Sequence, residues 1–413
     1  MNQKERSFDT RSSQGRNTLD VFEGKRIYFG VCGMGLGHVS RCLPIAQEVV
    51  KRGGDVLFST YLESVQYVHN YGLPVVDAPD LSMDVDITGS IDIRATTFSS
   101  GVGSILTFLD QVRFEIQTIQ AYDPNLVFVD TRLSTIYAAR LLKKPVVLLL
   151  NQFLPRVPRE KDTIFFRLLD GIILTTLGRS WALSSIILIP DFPEPYTISL
   201  DSLRIPRRVG ARVKLVGSIL QQPPRSNDRV KNVRKSLGVG EDQKLIYAGI
   251  SGPVAERTPL INILIPLLSR FPKRFKVIMS MGNPNGGSKP KENGNLCLFP
   301  WIENRFDYLE ACDAVISRGG HETLIQSISY GKPSVIIPVP KHPEQYGNAR
   351  RAMELQVAKA MHQRDLTLEH LVKRVDEVLE SNKILKVLEF INEKEHLGEG
   401  LNRTVETLAE FFN

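Results

Sequence analysis

At 413 residues the chain is too long for one ordinary core and suits two α/β domains, each with its own interior. Hydrophobic residues at 42% and charged residues at 23% are globular values and exclude wholesale disorder. A net charge of +7 suits an anionic ligand or an acidic membrane surface; the basic runs (Arg204, Arg207, Arg208, Arg212, Lys214 and Arg156, Arg159, Lys161) lack interleaved aromatics and argue against nucleic acid as a partner.

In chain order, residues 1–24 are polar, lack a signal-type apolar stretch and read as a disordered tail. Short β-branched runs then alternate with helical patterns, the mark of parallel sheets built from βαβ units. Residues 26–31, 55–60, 126–129 and 146–150 read as buried strands, and 38–52 and 104–121 as helices. The poorly periodic stretch 78–103 reads as a long loop, of the kind that serves as a binding lid. Pro- and Arg-rich residues 190–212 read as a linker. The pattern then restarts with strands at 245–248, 276–279, 314–317 and 334–338 and helices at 257–269, 321–330 and 344–355. The expected fold is α/β: two Rossmann-like, doubly wound parallel-sheet domains at 25–195 and 214–380, facing a cleft. A linker at 196–213 joins them and helices at 381–413 close the chain.

The first strand leads into Gly33-Met34-Gly35-Leu36-Gly37-His38 and then a helix. Alternate glycines permit a tight turn and close ligand approach. The spacing is GxGxG rather than GxGxxG, and the second strand ends in Ser59-Thr60 where a ribose-binding acid is required, so a dinucleotide site is disfavoured. His38 stands at the helix start, where a neutral imidazole can take a proton from a hydroxyl. Asp130, at the end of a strand on the same sheet edge, is its candidate partner; capping of the helix near Ser134 is the structural alternative.

In the second half, Ser317-Arg318-Gly319-Gly320-His321-Glu322-Thr323 closes a strand and opens a helix. Free backbone N–H groups and the helix dipole make such a turn a diphosphate site, and Thr323 adds a hydroxyl. Gly249-Ile250-Ser251-Gly252 offers a second such turn, with Arg257 near enough to face the same phosphates, or merely to start a solvated helix. Trp301, followed by Ile302, is placed to stack on a flat base or to pack in the core. Glu344 and Gln345 open a helix beyond the phosphate turn, a good arrangement for gripping sugar hydroxyls.

These residues together resemble the GT-B glycosyltransferases, including the UDP-glycosyltransferases and the bacterial cell-wall N-acetylglucosaminyltransferase. The resemblance rests on Trp301, Gly319-Gly320 with Thr323, Gly331-Lys332-Pro333, Glu344-Gln345 and Asn348-Ala349, and on the turn from Gly33 to Arg41. Ser251-Gly252-Pro253 with Glu256-Arg257-Thr258, and residues 190–196, resemble a microbial subgroup. The resemblance implies that His38 is the base and Asp130 its partner, with Gly35, Gly37 and Arg41 on the acceptor side. It implies that Trp301 and Ile302 meet uracil, that Gly320, His321 and Thr323 with Gly252, Arg257 and Gly319 surround the diphosphate, and that Glu344 and Gln345 hold the sugar. Gln326 stands where the family has an acid on the ribose hydroxyls. The implied reaction is inverting transfer of a hexose or N-acetylhexosamine from a UDP-sugar to an acceptor glycan hydroxyl, lipid-linked or free, without cofactor or metal. A nucleotide-sugar 2-epimerase and a non-catalytic nucleotide-sugar binder are the alternatives.

Asp84-Val85-Asp86 has the spacing of a metal-binding pair but reads as solvated surface. Cys32, Cys42, Cys297 and Cys312 form no CxxC pair and read as buried thiols of a cytoplasmic protein. The apolar stretch 164–189 reads either as a helix on the inner face of a membrane or, preferably, as a helix buried between sheet and linker.

Overall fold

The computed structural model describes residues 21–80, 93–154, 163–220, 226–250, 252–283, 286–394 and 399–412. Asp84, Asp86, Arg156, Arg159, Lys161, Ser251 and most of the expected tail lie outside them. The first sheet holds β1 (Arg26–Val31), β2 (Asp55–Thr60), β3 (Val75–Asp77), β4 (Leu126–Asp130), β5 (Val146–Leu149), β6 (Ile186–Ile189) and β7 (Val213–Leu215), in the order 3-2-1-4-5-6-7. The second holds β8 (Lys244–Gly249), β9 (Phe275–Ser280), β10 (Lys291–Asn293), β11 (Leu296–Phe299), β12 (Ala314–Ser317), β13 (Ser334–Ile336) and β14 (Ala358–Ala360), in the order 10-11-9-8-12-13-14. Only the edge pair β10–β11 is antiparallel. Helices cover both faces, which is why the central strands read as unbroken apolar runs: Ile27, Tyr28, Phe29 and Val31 of β1 have no exposed surface.

Each sheet reverses its strand order once, between β1 and β4 and between β8 and β12, and such switch points are where crevices open at the carboxyl ends of strands. Both crevices face the same cleft. A Cβ placed on Gly35, beyond β1, would lie 3.4 Å from the carbonyl carbon of Gly252, beyond β8.

Four expectations need correction. The tail ends earlier than expected, because Phe22 is fully buried with its ring 5.7 Å from Phe412. From Ile93 the expected loop is already helix (Ile93–Tyr122), while residues 81–92 lie outside the description. The expected linker is largely first domain: β7 pairs with β6 through Ile189↔Leu215, so the boundary set at 213/214 falls inside a strand. Three residues between arginine-rich neighbours carry too little pattern to be read as a strand. Finally, the closing helices divide. Asn382–Lys394 buries Ile384, Leu388 and Ile391 in the second core, whereas Gly400–Ala409 returns to bury Val405 and Leu408 in the first.

The helix Ile164–Trp181 is not buried as preferred. Ile164, Phe165, Leu168 and Ile172 are between 61% and 77% exposed, on one face of its first three turns. No helix among the described residues is long and apolar enough to cross a membrane.

Candidate active site

The cleft encloses a cavity of about 230 Å³, walled by the Gly35–Arg41 turn from the first domain and the Gly320–Gln326 helix start from the second. Because β1 and β4 are neighbours with Val31 opposite Asp130, the residue seven positions after β1 meets the residue that ends β4. His38 Nδ1 lies 2.8 Å from Asp130 Oδ1. Asp130 has no exposed surface, and it also accepts Arg41 Nε at 2.6 Å, Arg41 Nη2 at 2.6 Å and Thr131 Oγ1 at 2.8 Å. Burial alone would favour the neutral acid, but the Arg41 guanidinium and His38 hold the carboxyl well below the usual carboxylate range. An ionised carboxylate beside Nδ1 draws the ring proton to that nitrogen, which leaves the Nε2 lone pair for the cavity. Arg41 Nη2, 3.3 Å from His38 Nδ1, can only donate, and an Nδ1 whose proton points at Asp130 offers it no lone pair; it is a neighbour of the ring and not its partner. The capping alternative for Asp130 falls away, since the helix Leu133–Leu141 carries no side-chain cap.

On the other wall, β8 and β12 pair through Gly249↔Ser317, which sets the two glycine turns side by side. Gly320 is the N-cap of the helix His321–Ser329 and lines the cavity together with His321, Thr323 and Gln326. His321 is 2% exposed, with Nε2 3.0 Å from Asp191 Oδ2, while Nδ1 has no hydrogen-bond partner. Burial opposes ionisation of Asp191, but His321 and the Ser199 donors hold its carboxyl low. Behind the turn Arg318 is fully buried. It donates to the carbonyls of Ile337, Pro338 and Glu256 and to Gln363 Oε1, and burial pulls its pKa down to about 10.

Residues 261–396 match the glycosyltransferase family 28 C-terminal domain. An uncharacterized glycosyltransferase of Methanosarcina mazei is 26% identical, over 87% of this chain and 91% of its own. The UDP-N-acetylglucosamine–N-acetylmuramyl-(pentapeptide) pyrophosphoryl-undecaprenol N-acetylglucosamine transferase 1 of Bacillus cereus is 22% identical, over 90% and 95%. The kitacinnamycin glycotransferase shares the fold at a TM-score of 0.63 and 15% identity, over 94% of this chain and 98% of that one. Acinetobacter baumannii MurG shares it at 0.57 and 14%, over 94% and 99%. The chain thus has the GT-B fold, and its second domain matches the C-terminal domain of glycosyltransferase family 28.

In this GT-B fold several expected contacts lie elsewhere. Arg41 is 2% exposed and committed to Asp130, so it supports the His38–Asp130 pair from behind. Arg257 donates to both Glu63 oxygens at 3.2 Å and to the carbonyls of Gly252 and Gly282 at 2.7 Å. It therefore ties the second domain to the helix Glu63–Asn70 of the first. Gln345 is buried with Oε1 accepting from the N–H of Gly319 and of Val339, and a Cβ on Gly319 would lie 2.5 Å from the Gln345 carbonyl oxygen. Both residues thus shape the turn from outside the cavity. Glu344 faces the first domain, accepting from Gln152 Nε2 at 2.9 Å and Asn151 Nδ2 at 3.4 Å. Trp301 and Ile302 do line the cavity, and Trp301 packs edge-on against Tyr67 of the first domain at 5.9 Å.

Sequence reasoning missed Glu322 and Arg305, which also line the cavity. Glu322 lay inside the densest motif, but no role was assigned to it. Arg305 opens the helix Arg305–Ala311 and donates to Ser40 Oγ across the cleft at 3.3 Å, a contact that only the docked domains reveal.

Proposed function

We propose that this glycosyltransferase binds a nucleoside-diphosphate sugar, with UDP the first candidate, against the second domain and transfers the sugar with inversion to an acceptor hydroxyl activated by His38. The observation that carries the reading is the meeting in one cavity of an imidazole hydrogen-bonded to a buried carboxylate and a helix N-terminus that no side chain caps. His38 Nε2 takes the acceptor proton as the hydroxyl oxygen attacks the anomeric carbon, and the sugar–phosphate bond breaks on the opposite side. The departing diphosphate meets the N–H groups at Gly320, the Thr323 hydroxyl and the field of the His321–Ser329 helix, reinforced by the buried Arg318 charge. We propose that the charge of the departing diphosphate is carried by the helix terminus, without a metal or cofactor. Calorimetry against UDP-, GDP- and TDP-sugars tests the donor site. One UDP-sugar binds, and Thr323→Ala weakens it about three- to tenfold, as expected for one hydrogen bond. No binding by any of the three refutes the donor reading.

The acceptor is proposed to lie at a lipid surface. The helix Ile164–Trp181 exposes Ile164, Phe165, Leu168 and Ile172, flanked by the exposed Arg167, and its Thr175 and Thr176 hydroxyls donate back to the carbonyls of Gly171 and Ile172 at 2.7 and 2.9 Å. Polar groups satisfied within the helix suit an apolar medium. Beside its last turn runs the expected linker: a Cβ on Gly178 would lie 3.9 Å from Pro206, whose neighbours Arg204, Arg207 and Arg208 are exposed, as is Arg179. An apolar face rimmed by exposed basic groups fits an anionic bilayer. The protein floats with phosphatidylglycerol vesicles at low salt, and Leu168→Glu weakens this about tenfold or more, the worth of a buried leucine. A protein that stays in the soluble fraction at low salt rules the lipid surface out.

A further inference from the structure

The walls of the cavity come from different domains, so His38 can serve only if its turn stands at a fixed distance from the turn at Gly320. Strand pairing places each turn within its own sheet and leaves their separation to contacts across the cleft. Three such contacts fall on one short helix of the first domain, Glu63–Asn70, and on Tyr71 that caps it. Glu63 accepts from both terminal nitrogens of Arg257 at 3.2 Å, and Tyr67 packs edge-on against Trp301 at 5.9 Å. Tyr71 donates its hydroxyl to the Glu303 carbonyl at 3.3 Å. Positions 63, 67 and 71 recur every four residues and so share one face of the helix.

The same helix is fastened to the turn that carries His38. Ser64 has no exposed surface, and its hydroxyl lies 3.5 Å from the carbonyls of Gly33 and of Gly35 as their donor. A Cβ on Gly33 would strike the carbonyl of Tyr61, two residues before the helix, so turn and helix start are packed backbone against side chain position. Of the three contacts the ion pair is the strongest in kind, being bidentate and charged on both sides. The Arg257 side chain is 6% exposed and is held from behind by the carbonyls of Gly252 and Gly282, so it meets Glu63 as a fixed fork.

We propose that Glu63, Tyr67 and Tyr71 are positioning residues: their docking on Arg257, Trp301 and Glu303 sets, through Ser64 and the glycine turn, where His38 stands relative to the helix His321–Ser329. This rests on the reading of His38 as the base.

Spin labels on Lys51→Cys in the first domain and Asn262→Cys in the second, both exposed helix positions, measure the interdomain distance by pulsed electron resonance; the four native cysteines are buried. The labelled protein gives one narrow distribution. Glu63→Lys, which sets like charges face to face, shifts or broadens it, and Glu63→Gln falls between. In the unlabelled protein, hydrolysis of UDP-, GDP- and TDP-sugars loses about ten- to a hundredfold in kcat with Glu63→Lys, the cost of a misplacement of about 1 Å. Donor affinity by calorimetry stays within about threefold, and the thermal midpoint stays that of the wild type. Should Glu63→Lys lower the midpoint, Tyr71→Phe, which removes one hydroxyl, takes its place with an expected loss of about two- to tenfold in kcat. An unchanged distance distribution overturns the proposal, and so does a changed one with kcat intact. A loss that sits in donor affinity instead of kcat overturns it too, by making the helix a wall of the donor site. A rate that His38→Ala does not lower refutes the base reading and the proposal with it, and a wild type that hydrolyses none of the three sugars does the same.

Discussion

Replacing His38 with alanine lowers kcat by about 10²–10⁴-fold, the range for loss of a positioned general base. Donor affinity stays within a factor of about two, because the donor is proposed to lie against the other wall. The slow hydrolysis of the sugar donor by water serves as the assay where no acceptor is supplied, and it falls in parallel if water takes the acceptor's place beside Nε2. His38 is the cleaner of the two possible substitutions. Asp130→Asn would free the imidazole to turn over its tautomer, but it would also strand the buried Arg41, so lost activity and lost stability would arrive together. A kcat within tenfold of wild type for His38→Ala would remove the imidazole from the mechanism.

Arg41→Met carries the largest expected cost in stability, about 3–5 kcal/mol, because it leaves a fully buried carboxylate without its bidentate partner. Urea unfolding at neutral pH measures it. The sign of the pH dependence is fixed by the direction of the Asp130 shift. A carboxyl held low in the folded protein stabilises it above the unfolded value near pH 4 and loses that contribution as the pH falls through the folded value. The gap between wild type and variant is therefore full at neutral pH and narrows on acidification. A gap of less than about 1 kcal/mol at pH 7 would mean that the guanidinium is a bystander to a carboxylate stabilised by His38 and Thr131 alone.

The parts of this protein that depend on a local period were open to sequence reading. Strands β1, β2 and β12 begin and end where the sequence reading placed them, because strands buried on both faces show as short, mainly apolar runs. The pairing of His38 with Asp130 was legible for a similar reason: each follows or ends a strand, and strand ends at a switch point converge. What stayed hidden depends on how the two domains dock. Nothing local to Arg257 announces that Glu63 will face it, nor that Glu344 will turn towards Gln152. Gln345 was read as a sugar ligand because an amide at a helix start looks the same whether it points into a cavity or braces the turn behind it. Strand β7 was lost because its three residues are shorter than any window in which a period can be seen.

The return of the last helix to the first domain bears on how the protein is made. Val405 and Leu408 fill part of the core built on β1, and Phe412 closes over Phe22. A ribosome delivering about 5–20 residues per second exposes β1 many seconds before it releases those side chains. Throughout that interval the emerged half of the protein holds its sheet with one apolar flank open to water. The domain translated first is thus the one finished last, and the window in which chaperones must guard it is set by the time needed to synthesise everything in between.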